Sequence, residues 1–323
     1  MSLKNFLLPA FFISAVLFGS SVGSEELKVY FKTTPRSELL RPFIDATELS
    51  LLVTGSDGRP LEQGTVAIRL EAPRSARFFS TDYPLVEGTV LSELRLPLRQ
   101  GRAAWKQLLP IRGVYRLTVD VSGEGETKAK QMFSFNVRES GKKWLVLAAF
   151  SAGLFVLGFA AGRVFTSRGT AVGAVALILS MAPSGVSSGE KQPDGSALLE
   201  VEPPTVGKLS EVRWRAPTSG SGATTLSLTI SNLEKQKVVF AVEKVPVDGA
   251  WTMRFHFPDA GEYRVSAVAN LAGRGPVRSE YGLSVAGVEP PARTMIGAMA
   301  FFVGLIALGL GLGRWSKLRR KSV

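Results

Sequence analysis

Cysteine is absent from this chain, and histidine occurs once, at His256. The missing thiols exclude disulfide staples, thiolate metal sites, thiol nucleophiles and covalently attached haem, so an exported domain would rely on its core alone. A lone imidazole is a poor start for a metal site or a hydrolytic triad. Its setting, "WTMRFHFP", alternates as a strand. Trp251, Met253, Phe255 and Phe257 take one face, and His256 shares the other with Arg254. The expectation is a histidine on a solvated sheet face that can be replaced without loss. The six methionines form no cluster suited to cuprous ion, and no glycine-rich phosphate cradle precedes a helix. Asp82, Glu87 and Glu93 fall in one long loop, "RFFSTDYPLVEGTVLSE", and read as a solvated connection rather than a carboxylate pair. In that loop Phe78, Phe79, Tyr83 and Leu85 either fill a core or protrude as a contact surface, and two of them are expected in the core. No catalytic, cofactor-binding or metal-ligating residue is assigned, and no cofactor is expected.

Acidic residues are missing outside residues 25–290, although the chain carries 39 basic and 27 acidic side chains and a formal charge of +12. Residues 25–141 hold 17 basic and 15 acidic side chains, and residues 184–290 hold 11 and 12. Both stretches are close to neutral. The remaining 11 basic residues lie in the N-terminal segment or beside apolar runs. Charge placed this way flanks membrane segments and does not line a groove for phosphates, so nucleic acid is not an expected partner.

The N-terminal "MSLKNFLLPAFFISAVLFGSSVGSEE" has a positive Lys4, an apolar stretch from Phe6 to Phe18 and the small residues Ser21-Val22-Gly23. This predicts a secretory signal of bacterial type over residues 1–23, with retention as an uncleaved membrane anchor the alternative, and with no cysteine after it the signal is not a lipoprotein one. Trp144 to Gly162 is 19 residues without a charge, and Thr294 to Gly313 is another 20, followed by "RWSKLRRKSV". At 1.5 Å per residue each run comes near the ~30 Å of a bilayer core, so residues 144–162 and 294–313 are predicted to cross a membrane. Between them, Gly169 to Pro183 is uncharged for only 15 residues, short for a span. Charge parity supplies the missing argument. A crossing over residues 169–186 puts Arg314, Lys317, Arg319, Arg320 and Lys321 on the cytoplasmic side, in a basic tail of residues 314–323. Lys142 and Lys143 stay on the outer face, where they fit that rule poorly. Gly158 and Gly162, like Gly309 and Gly313, are small residues four apart, suited to close helix packing on one another or on a partner.

The rest of the chain reads as short strands divided by turns. Residues 25–140 contain "LKVYFK", "TELSLLV", "TVAIRLE", "GVYRLTVDV" and "QMFSFNV"; residues 197–286 contain "EVRWRA", "TTLSLTI", "KVVFAVE", "WTMRFHF" and "EYRVSAVA". Alternating β-branched and aromatic runs at this spacing predict two antiparallel β-sandwiches, with residues 187–196 as a flexible linker into the second. An internal repeat relates them. Trp105 precedes "LPIRGVYRLTV" and Trp251 precedes "FPDAGEYRVSA", and both share Pro-x-x-Gly-x-Tyr-Arg, through Pro110, Gly113, Tyr115 and Arg116 and through Pro258, Gly261, Tyr263 and Arg264.

The stretch Asp259 to Val265, "DAGEYRV", resembles the tyrosine corner of immunoglobulin-like domains, in which a tyrosine hydroxyl bonds nearby backbone and fixes the start of a strand. The resemblance implies cysteine-free immunoglobulin-like sandwiches anchored by Tyr263, Asp259 and Gly261. The first sandwich keeps Gly113 and Tyr115 but has Ile111 in place of the aspartate, which predicts a looser corner. The layout, exported sandwiches flanking a membrane hairpin, is also similar to the copper-bearing subunit of particulate methane and ammonia monooxygenases. Here the histidine ligands that resemblance would require are absent, and an extra C-terminal helix departs from its plan.

The expected protein is therefore all-β in its exported domains, two immunoglobulin-like sandwiches, with transmembrane helices. It is expected in a bacterial inner membrane as a multi-pass protein with both large domains periplasmic. The expected role is non-catalytic: a structural or accessory subunit whose partners are the lipid bilayer and other membrane-protein subunits. A periplasmic carrier or chaperone for a metal or small ligand is the alternative, and an enzyme the third.

Overall fold

A computed structural model describes residues 27–44, 46–75, 80–123, 128–164, 199–216, 224–271, 275–289 and 292–321. The expected signal over 1–23, the crossing over 169–186, the linker 187–196, Phe78 and Phe79 lie outside the described residues.

The first half of the chain forms β1 (Lys28–Thr34), β2 (Thr47–Thr54), β3 (Thr65–Glu71), β4 (Val90–Pro97), β5 (Arg102–Gln107), β6 (Gly113–Ser122) and β7 (Lys128–Val137), followed by helix α1 (Gly141–Val164). The second forms β8 (Leu199–Val201), β9 (Leu209–Arg215), β10 (Thr224–Asn232), β11 (Lys237–Val247), β12 (Ala250–His256), β13 (Gly261–Asn270) and β14 (Pro276–Val285), followed by helix α2 (Ala292–Lys321). The period-two alternation that defines a half-buried strand is cleanest in β6 and β13. Tyr115, Leu117, Val119 and Val121 point into the core from β6, and Tyr263, Val265, Ala267 and Ala269 do so from β13.

All strand pairs in the two sheets are antiparallel, and the order repeats. The first half has a three-stranded leaf β1-β2-β5 and a four-stranded leaf β4-β3-β6-β7; the second has β8-β9-β12 and β11-β10-β13-β14. The three-stranded leaf of each half then continues into the four-stranded leaf of the other. Phe240 pairs with Gln107 and Ala241 with Lys106, joining β11 to β5. Met253, Arg254 and Phe255 pair with Leu94, Glu93 and Ser92, joining β12 to β4. The molecule is thus two seven-stranded sheets closed over one hydrophobic cluster shared by both halves.

Reciprocal pairing of this kind is what a two-fold dimer makes, here within one chain. It also removes the four leaf edges, at β4, β5, β11 and β12, that two lone sandwiches would expose to solvent and to other strands. The sequence carries a trace of it: Val239, Phe240, Ala241 and Val242 in β11 are buried in succession, as befits a strand covered on both faces.

Strand pairing brings the start of β6, the end of β7 and the loops before β2, β4 and β13 to one end of the sandwich, from which both helices depart. Gly141–Val164 and Met295–Leu318 are each 24 residues, with mean hydropathy 2.2 and 2.3, long and apolar enough to cross a membrane. They run side by side and parallel. Phe150 meets Phe302 edge-on at 5.5 Å before their midpoints, and Lys317 Nζ donates to the Arg163 carbonyl at 2.9 Å near their ends. The basic residues from Arg314 to Lys321 are the last turns of α2 rather than a separate tail.

Candidate functional site at the helix-bearing end

In each half a ten-residue strand with one buried face, β6 or β13, begins with a tyrosine corner. Gly113 and Gly261 open β6 and β13 at φ of +126° and +127°, a backbone region that disfavours side chains. Two residues on, Tyr115 and Tyr263 are fully buried. Tyr263 donates its hydroxyl to the Asp259 carbonyl at 3.1 Å. Tyr115 donates to the Ile111 carbonyl at 2.7 Å and also accepts the Ile111 N–H at 3.0 Å. The corner without the aspartate is therefore the tighter one, contrary to the sequence expectation. The physical reason is that the tyrosine bonds backbone, which Ile111 supplies as well as Asp259 does. The Asp259 carboxylate is used elsewhere, accepting from the Ala260 N–H at 3.0 Å and pairing with Lys235. Burial pushes both phenol pKa values up. Trp105 and Trp251 occupy equivalent strands, β5 and β12, and both are buried at the join between halves. Trp105 donates to Gln107 Oε1 at 3.3 Å, and Trp251 donates across to the Arg95 carbonyl at 3.2 Å.

Three contacts lock the halves together at this end. Lys235, in the β10–β11 turn, lies over Phe43 at 4.4 Å and Tyr83 at 5.5 Å, two rings that stack on each other at 5.0 Å. Burial works against its charge, but Asp259 and Tyr83 outweigh that and hold its pKa above the usual value. Lys237 donates to the carbonyls of Phe43 at 2.7 Å and Ile44 at 2.6 Å. Tyr83 and Leu85 are half-buried and pack on the core from the long loop.

The third contact is His256, which is 2% exposed and not on a solvated face. Alternation holds through Phe255, but at the strand's end the Val86–Thr89 and Val206–Gly207 segments close over the imidazole. Its Nε2 accepts the Gly207 N–H at 3.0 Å, and its Nδ1 lies 2.9 Å from Thr89 Oγ1. Thr89 Oγ1 already donates to the Val86 carbonyl at 2.7 Å, so it receives the proton of Nδ1. Burial pushes the histidine pKa down to about 4, and the ring stays neutral.

An open groove of about 1430 Å³ runs along the outer face of β6 and β7 to the first turn of α1. Arg74, Arg112, Arg116 and Arg138 line it with Glu71 and Glu139. Beside its mouth Arg112 lies 5.1 Å over the Trp144 ring and 3.9 Å from Glu139, and Lys143 reaches Asp82 at 3.3 Å and Glu139 at 3.4 Å.

Below this end the four helix glycines are brought together. A Cβ on Gly158 would lie 2.5 Å from the Ile306 carbonyl oxygen, and one on Gly162 2.3 Å from that of Leu310. Gly309 and Gly313 face the Phe155 and Phe159 carbonyls at 2.4 and 2.2 Å by the same measure. Backbones this close leave no room for a methyl group.

No protein-family model and no curated protein matches the chain. Among solved structures it is similar to dimeric latent PorU from Porphyromonas gingivalis, at 10% identity and a TM-score of 0.28, over 82% of this chain and 24% of that one. Trypsin-activated alpha-2-macroglobulin from Escherichia coli follows at 10% identity and 0.27, over 82% and 18%. Invasin, a bacterial integrin-binding protein, follows at 10% and 0.24, over 83% and 41%. The chain spans less than half the length of each, and likeness at this level identifies neither family nor activity.

Proposed function

We propose that this chain is a non-catalytic accessory subunit of a bacterial inner membrane, with an immunoglobulin-like double sandwich on the periplasmic side that binds a membrane-complex partner. The observation that carries the reading is the pair of continuous sheets above two parallel apolar helices: a rigid head on a membrane stalk. Two halves hydrogen-bonded into the same sheets must lie on one side of a bilayer. If α1 crosses, the chain must return between residues 165 and 198, which is where the sequence argument puts its hairpin. Lys317 and the basic end of α2 then fall beside Arg163 on the cytoplasmic side, as the positive-inside rule requires. The immunoglobulin-like label is supported by the seven-strand, three-plus-four leaf order and the tyrosine corners.

Affinity purification from native membranes after cross-linking tests the role. Stoichiometric co-purifying subunits are the expected result; a bound metal or small ligand on an otherwise solitary chain would favour a carrier and overturn it. Reporter fusions after Gly195 and Val323 test the topology, with periplasmic activity expected at the first and cytoplasmic at the second.

A further inference from the structure

We propose that the groove beside Trp144 is a binding site for anionic phospholipid headgroups of the leaflet that faces the sandwich, a reading that rests on α1 and α2 crossing a bilayer. Place is the first argument. The groove ends at the first turn of α1, so its mouth lies at the depth of the lipid phosphates. Trp144, 51% exposed with Arg112 stacked on it, is a side chain suited to that interface.

Charge is the second. Glu71 is engaged by Arg69 at 3.1 Å and Arg116 at 3.5 Å, and Glu139 by Arg112 and Lys143. Arg74 and Arg138 in the groove, and Lys142 on the adjoining turn, have no carboxylate within 4 Å among the described residues. This surplus of cations sits on the face where membrane proteins usually carry few, which is why Lys142 and Lys143 fit the charge rule poorly. A guanidinium fork matches a phosphate, and each basic residue near an anionic surface adds favourable binding. Lining chemistry is the third argument. Val114 and Met132 are 59% and 61% exposed and border the same groove, giving an apolar wall beside the cations. A phosphate joined to an acyl chain meets both; a free phosphate uses only the cations.

The test uses the full chain in nanodiscs of phosphatidylcholine alone or with about a third phosphatidylglycerol, followed by amide hydrogen exchange. The anionic lipid should slow exchange in residues 112–116 and 132–144, on the order of fivefold, and leave the distal β4–β5 turn unchanged. Combined Arg74→Gln, Arg138→Gln and Lys142→Gln should remove that difference while keeping the phosphatidylcholine pattern, and Arg138→Gln alone should reduce it. Equal exchange in both lipids overturns the site. Millimolar inorganic phosphate reproducing the protection in phosphatidylcholine assigns the cations to a free anion and also overturns it. Extraction of the chain from native membranes by alkaline carbonate would instead overturn the membrane reading itself, and the lipid site with it.

Discussion

The ammonium of Lys235 rests 4.4 Å over the ring of Phe43, so a cation from the second half of the chain is held on an aromatic side chain of the first. Asp259 neutralises the same ammonium from the tyrosine corner, and Tyr83 closes its other side. Lys235→Ala should destabilise the folded chain by about 1–2 kcal/mol, since a partly desolvated cation–π contact is lost and Asp259 is left without its cation. Lys235→Arg should retain most of the stability. Denaturant unfolding of the full chain in detergent measures both; an unchanged midpoint for Lys235→Ala would separate the halves energetically at this contact.

The shared sheets lead to a second expectation. Either half expressed alone, residues 25–140 or 197–289, should be insoluble or molten, because each then exposes two strand edges and half of a core. Co-expression of both should restore a soluble, non-covalent pair. A monodisperse, cooperatively unfolding single half would show that the join is dispensable.

The tyrosine corners give an ordered pair of values. Tyr263→Phe removes one hydrogen bond and should cost about 0.5–1.5 kcal/mol. Tyr115→Phe also leaves the buried Ile111 N–H without its acceptor, so it should cost about 1–3 kcal/mol. Urea unfolding of the two variants side by side checks the order, and a larger loss at Tyr263 would contradict the geometry.

The mostly-β architecture and its two long apolar helices were legible in the sequence, because alternation in "GVYRLTVDV" and "EYRVSAVA" and the uncharged runs are local signals. The repeat was legible too, and it falls on the equivalent strands β6 and β13. The join between halves was not. Phe240 with Gln107 and Phe255 with Ser92 are pairings between residues far apart in the chain, and no local pattern names the partner strand. His256 fails for a related reason. Its own strand predicts an outward face, and the segments that cover it come from Thr89 and Gly207. The groove is also assembled from afar, by Arg74, Arg112, Arg138 and Trp144, none of which forms a motif in sequence.

His256 makes stability depend on pH. Its imidazole titrates near the usual 6.5 when unfolded and near 4 when folded, because burial opposes the charge. Between those values the unfolded chain binds the extra proton and the folded chain does not. The contribution of neutral His256 is therefore complete above about pH 6.5 and is lost as pH falls towards 4, about 3 kcal/mol in all. His256→Gln should flatten that part of the stability curve. Thermal midpoints from pH 7.5 to 4.5 decide it, and parallel curves for the two proteins would mean that the buried ring is not the titrating group.

Gly309 sets how closely the apolar helices approach, since a Cβ there would meet the Phe155 carbonyl oxygen at 2.4 Å. Gly309→Leu should force the backbones apart by several ångströms and break the register that brings Phe150 to Phe302. The absence of native cysteine makes this measurable without background. With Phe150→Cys and Phe302→Cys introduced together, mild oxidation should form the cross-link in high yield, because the parallel helices face each other at that level. Adding Gly309→Leu should abolish the cross-link, and adding Gly304→Leu, where a Cβ meets nothing within 4 Å, should leave it intact. Cross-linking that survives Gly309→Leu would mean that the glycine pairs do not set the helix contact. Loss with Gly304→Leu as well would mean that bulk anywhere along α2 parts the helices.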